Sequence, residues 1–240
     1  MSTPQHIQGL NETHDARLNF REEVVVFVGS EKNKFTVHKE SLIKSSDFFK
    51  TCLNGAWKES KTKTLTLPET DADTFSVYLQ RLYADEVVIA DDQDECVPTD
   101  YEEKCKRTER YFRTLVSLAI FADSYNDIAF QNAVNDLWID TAAKFNMNAS
   151  TWCLARLHSS LPPQSKTLAF VADDFASCID PETLAGDISE YPPQFLQQVW
   201  IAMSRAQKSD QGAVLVPTFE RRCAYHEHNN KVPKTAKRTE

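Results

Sequence analysis

The period at which apolar residues recur changes along this chain, and that change limits the folds open to it. Up to about residue 67 the apolar residues fall in short β-type runs. These are Val24-Val-Val-Phe-Val28 closed by Gly29, Phe35-Thr-Val37 after a polar turn at 30–34, and Thr64-Leu-Thr-Leu67 closed by Pro68. Runs of this kind bounded by turn formers predict a hairpin and a further short strand. Elsewhere the spacing is helical. Leu42, Ile43, Phe48, Phe49, Cys52 and Leu53 fit a helix stopped at Asn54-Gly55, and Phe75, Val77, Tyr78, Leu79, Leu82 and Tyr83 fit another. Val87-Val-Ile89 is a further strand candidate. Tyr111, Leu115, Leu118, Ala122 and Tyr125 mark one amphipathic helix. Ile128, Phe130, Val134, Leu137, Trp138 and Phe145 mark the next, with Asn126 or Asp127 as its cap. From there to about 207 the pattern is helical, broken at Pro162-Pro163, Pro181 and Pro192-Pro193. The order is short strands and helices first, helices alone afterwards, and few Gly with no strand–helix alternation argue against a doubly wound sheet. The expected class is α+β: a helical cluster capped by a small mixed sheet, followed by an all-helical extension over 146–207.

Composition narrows the function. Apolar residues at 41% supply a core, and no run approaches the roughly eighteen apolar residues needed to cross a bilayer. The first residues lack a basic start and an apolar stretch, so no secretory signal is visible and an intracellular place, cytoplasm or nucleus, is expected. The six cysteines form no C-x-x-C pair and read as free thiols. A net charge of −8 makes nucleic acid an unlikely partner, because phosphate affinity rests on clustered Lys and Arg. The charge is uneven. Residues 85–103 hold nine acidic side chains and no basic one, and residues 221–240 hold six basic and two acidic. Both blocks read as solvated, the first as an insert and the second as part of a flexible tail over 208–240.

Each candidate for chemistry has a plainer reading. His38 stands where the hairpin enters the first helix, with no G-x-S-x-G elbow and no cysteine in a protease context, so it reads as a satisfied structural residue. Five glycines give no phosphate-binding loop. The Asp71-x-Asp73 pair reads as a helix cap, and Asp91–Glu95 lacks the Gly and final Glu of a calcium loop. Cys223, His226 and His228 offer three zinc ligands where a closed tetrahedral site takes four, so no metal is expected. No catalytic residue and no cofactor are expected, and the chain reads as a non-enzyme.

Several fragments together resemble the BTB/POZ domain. They are Glu23-Val-Val-Val-Phe-Val-Gly29, Phe35-Thr-Val-His-Lys39, Leu42 with Ser46 and Phe49, Trp57-Lys-Glu-Ser60, Leu65-Thr-Leu-Pro68, and later Ala119–Val134. Residues 159–176 and 191–199 resemble the helical extension of fungal BTB-only proteins. Glu23 stands where the family usually has Asp, the acidic insert is longer than the usual connection, and no kelch, MATH or zinc-finger module accompanies the domain.

The resemblance implies an N-terminal arm at 1–21, a BTB/POZ domain at 22–145, and a protein-interaction function. Partners would be other proteins: a second copy, with Leu10, Leu18 and Phe20 of the arm as dimer contacts, and a cullin-type ubiquitin-ligase scaffold gripped by Trp57 and Glu59. In the last case an apolar anchor enters a pocket while a carboxylate fixes register. The plainer reading of Trp57 is a lid over the core beside Leu65. A second functional expectation is a nuclear transcription or chromatin scaffold, resting on the basic tail.

Overall fold

The computed structural model describes residues 22–89, 97–178, 188–207 and 219–228. Leu10, Leu18 and Phe20, the Asp91–Glu95 block and the tail from 229 lie outside the described residues.

Strand β1 (Glu23–Val28) is the middle of a three-stranded sheet. It pairs antiparallel with β2 (Asn33–His38), Val26 opposite Phe35, and parallel with β3 (Thr64–Leu67), Val26 opposite Leu65. Val24, Val26 and Val28 point into the core, as period-two alternation requires. Gly29, at φ +76°, turns the hairpin in a conformation that a Cβ would strain.

Helix α1 (Lys39–Ser45) and helix α2 (Asp47–Asn54) replace the single helix expected over 42–53. Ser46 separates them. Its backbone is extended, its Oγ accepts the N–H groups of Phe48 (3.1 Å) and Phe49 (3.2 Å), and its hydroxyl donates to the Tyr125 carbonyl. A short α3 (Lys58–Thr62) precedes β3, and α4 (Ala72–Ala84) follows it, capped by Asp71, which accepts from the Thr74 N–H at 2.7 Å. Val87–Ile89 is not a strand. Ile89 is buried and anchors the connection to the core instead.

Helix α5 (Tyr101–Ser124) starts inside the block read as a solvated insert. Asp100 caps it, accepting from the Glu103 N–H at 2.9 Å, and Glu102 and Glu103 occupy its first turn, where the helix dipole favours carboxylates. Helix α6 (Ile128–Phe145) folds back along α5 after a turn at Asn126, which is left-handed, and Asp127 caps it.

The extension comprises α7 (Thr151–Ser160), α8 (Lys166–Cys178) and α9 (Pro193–Gln207). Trp138 of α6 stacks on Phe112 of α5 at 5.8 Å and meets the Phe170 edge of α8 at 6.3 Å, so one core runs from the sheet side into the extension. Residues Phe219–Tyr225 form a 3-10 segment against α6 and α8. This corrects the reading of 208–240 as a flexible tail for residues 219–228: Tyr225 is buried, and six side chains of α6 and α8 hydrogen-bond to residues 222–228. Among the described residues no helix is long and apolar enough to cross a membrane. The cysteines described, Cys52, Cys105, Cys153, Cys178 and Cys223, are unbridged.

Candidate partner-docking surface

Trp57 stands at a corner built by local geometry. Helix α2 ends at Gly55, whose N–H donates to the Thr51 carbonyl at 3.0 Å. The Gly55 backbone is extended, so no unusual dihedral calls for glycine there. Close approach does: a Cβ would lie 2.6 Å from the Thr51 oxygen and 2.7 Å from Cδ1 of Trp57. The indole thus folds back against the bare Gly55 backbone. Trp57 then caps α3 without a side-chain hydrogen bond, and Lys63, in the left-handed region, turns the chain into β3. The Lys63 carbonyl accepts the Val25 N–H at 3.0 Å, which fixes the far side of the corner to the sheet.

The result leaves Trp57 62% exposed. So large an exposure argues against a lid over the core beside Leu65, which is itself buried. Glu59 sits two residues on, half-buried, in the first turn of α3. Burial, and then the nearby Glu59 charge, pushes the Cys52 thiol above its ordinary range, which puts that carboxylate beside α2. An aromatic body in water, with a carboxylate on the adjoining turn, suits protein docking: the ring supplies area to be desolvated and the charge supplies register.

His38 has a structural task. Its backbone N–H donates to Tyr83 Oη at 3.0 Å and its Nδ1 lies 2.9 Å from the same oxygen, tying the β2–α1 junction to the end of α4. Deeper in, Tyr78 donates to Asp127 Oδ2 at 3.1 Å and contacts Ser45 Oγ at 2.6 Å. Burial raises the Asp127 carboxyl above its usual range, opposed by the Phe130 N–H and the Tyr78 hydroxyl; burial also raises the Tyr78 phenol. These are satisfied core groups.

Cys223 Sγ lies 3.3 Å from His228 Nε2, but His226 turns to Asp136 Oδ1 at 2.8 Å. Among the described residues no group of three or more His, Cys, Asp or Glu is arranged to hold a metal ion. The dimer contacts expected at Leu10, Leu18 and Phe20 lie outside the described residues.

Two exposed tryptophans escape the sequence reading. Trp152 lies under the Arg113 guanidinium at 4.1 Å and borders a cavity of about 180 Å³ with Thr70, Tyr125 and Arg156. Trp200 is off the Phe195–Val199–Ala202 stripe that buries α9. That phase mismatch is the signal that would have revealed it.

The family model of the BTB/POZ domain matches residues 17–99. No curated protein matches the chain.

Proposed function

We propose, from the premise that this chain carries a BTB/POZ domain at residues 17–99, that it is an adaptor joining a cullin-type ubiquitin-ligase scaffold to other proteins. BTB/POZ domains are protein–protein interaction modules, generally non-enzymatic, and dimerisation is common among them. The adaptor reading rests on one observation: Trp57 stands in water at a corner held by Gly55 and Lys63, with Glu59 beside it. An exposed indole on a rigid support loses little entropy on docking, which is what a binding anchor needs. In this reading Trp57 enters an apolar pocket of the scaffold and Glu59 meets a cation at its rim. The helical extension carries the partner to be modified. A two-fold pairing of BTB/POZ domains, with Leu10, Leu18 and Phe20 in the shared interface, would present two such corners at once.

The test is capture of the full chain on an immobilised cullin N-terminal domain. Wild type is retained. Trp57→Ala with Glu59→Arg is lost by tenfold or more, with an unchanged circular dichroism spectrum and melt. Failure of wild type to be retained would end the adaptor reading and leave the interaction module itself standing.

A further inference from the structure

Residues Arg222–His228 lie on α6 and α8 in the way a bound peptide lies on its receptor. Helix side chains read the segment's main chain. Lys166 Nζ donates to the Ala224 carbonyl at 3.1 Å, and Asn135 Nδ2 donates to the Tyr225 carbonyl at 2.8 Å. Asn132 clamps Glu227 from both sides, its Nδ2 donating to the carbonyl at 3.0 Å and its Oδ1 accepting the N–H at 2.8 Å. Main-chain contacts of this kind hold a segment largely irrespective of its sequence.

Three side chains then supply selectivity. Tyr225, 6% exposed, meets the Phe170 ring edge-on at 5.4 Å and donates to Asp173 Oδ2 at 3.0 Å. Arg222 forms an ion pair and hydrogen bond with Asp140 and lies 3.9 Å from Asp136. His226 Nε2 sits 2.8 Å from Asp136 Oδ1. Asp136, Asp140 and Asp173 of the helices thus meet Arg222, His226 and Tyr225 of the segment, while Glu227 is held through its main chain alone by Asn132.

The receiving face is also held in place from behind. Asn135 is fully buried on α6, and its Oδ1 accepts the Thr167 hydroxyl of α8 at 2.8 Å, which fixes the amide with Nδ2 turned to the segment. A helix face meant only for water has no need of a buried, oriented amide. Nothing in these contacts depends on the covalent link through residues 208–218. That link supplies an effective concentration, on the order of millimolar for a short connection.

We propose that the α6–α8 face is a peptide-binding groove, that Arg222–His228 is its resident internal ligand, and that it accepts in exchange a segment of a partner protein bearing a cationic residue three positions before a tyrosine. Exchange couples partner binding to release of the C-terminal segment. The groove acts whether or not the Trp57 corner meets a cullin.

The probe is a fluorescein-labelled synthetic peptide with the sequence of residues 219–228 and Cys223→Ser, titrated into the full chain. Arg222→Glu with Tyr225→Ala in the chain frees the groove. This variant is expected to bind the peptide at least tenfold more tightly than wild type, and adding Asp140→Arg is expected to remove the gain. A folded variant that binds no better than wild type overturns the proposal. Should the variant fail to fold, hydrogen exchange on wild type decides. Faster exchange at the Glu227 amide under millimolar peptide supports displacement, and unchanged exchange overturns it.

Discussion

The Trp57 corner and the α6–α8 face are both shaped to hold another stretch of chain, yet one is open and the other is filled. The open one is apolar. Its indole rests on Gly55, and water beside it leaves no buried donor or acceptor without a partner. The filled one is polar. Asn132, Asn135, Asp140 and Asp173 all spend hydrogen bonds on the segment that covers them. Of these Asn135 is fully buried, and a buried polar group that loses its partner costs about 1–3 kcal/mol, so the face is more stable when something occupies it. A docking surface that must wait in water is built from an apolar anchor. One built around a buried amide comes with its own occupant.

The largest test of this division concerns what both regions share. Trp138 joins α5 and α6 to α8, under the filled face. Trp138→Ala should cost about 3–5 kcal/mol in urea denaturation, as large-to-small core changes do. A loss below about 1 kcal/mol would show that the extension is not part of the same core.

Asn135→Ala comes next. It strips partners from the Tyr225 carbonyl and the Thr167 hydroxyl together, and should cost about 1–3 kcal/mol while speeding exchange of the amides at 222–228. Unchanged exchange would mean that the Asn135 contact does not help to hold the segment.

Asp174 of α8 gives a pH signature of the extension. Burial pushes its carboxyl from an ordinary 3.8 up to about 6. The folded state therefore binds this proton more tightly than the unfolded state does. The stabilisation is fully present below pH 3.8 and is lost as pH rises through 6. The carboxyl keeps some contact with water, so the expected loss between pH 4 and 7 is about 1–2 kcal/mol, less than the full shift implies. Asp174→Asn should flatten that contribution in melts taken across the same range, and a wild type whose slope is unaffected by the change would exclude Asp174 as its source.

The smallest stability effect belongs to the open corner. Trp57→Ala should move stability by no more than about 0.5 kcal/mol, because the indole covers little. A substantially larger loss would restore the reading of Trp57 as a core lid.

Much of the fold is legible in the residues, and the exceptions have physical causes. The β1–β2 hairpin, β3, and the caps at Asp71 and Asp127 all follow from local chemistry. The break at Ser46 does not, because Leu42, Phe49 and Leu53 stay in helical phase across it. Only the hydroxyl's distant partner, the Tyr125 carbonyl, reveals the break. Val87–Ile89 has strand composition, but composition cannot show whether a neighbouring strand exists to pair with it. The first turns of α5 are hidden by charge, although Lys106–Glu102 and Arg113–Glu109 are spaced as helical ion pairs.

The functional surfaces divide in the same way. Trp57-Lys58-Glu59 can be seen as a motif, whereas the exposure of Trp57 depends on Gly55 lying under the ring. The docked segment could not be read from Tyr225 alone among polar neighbours. Its counterpart signal was Asn135, a polar residue one position after Val134 on the apolar side of α6.

The most direct measurement is calorimetric titration of the full chain with a cullin N-terminal domain, comparing wild type, Trp57→Ala and Glu59→Arg. Saturable binding by wild type that weakens at least tenfold in Trp57→Ala and less in Glu59→Arg, with melting temperatures nearly unchanged, is the predicted result. No binding by wild type, or equal binding by all three, would contradict it.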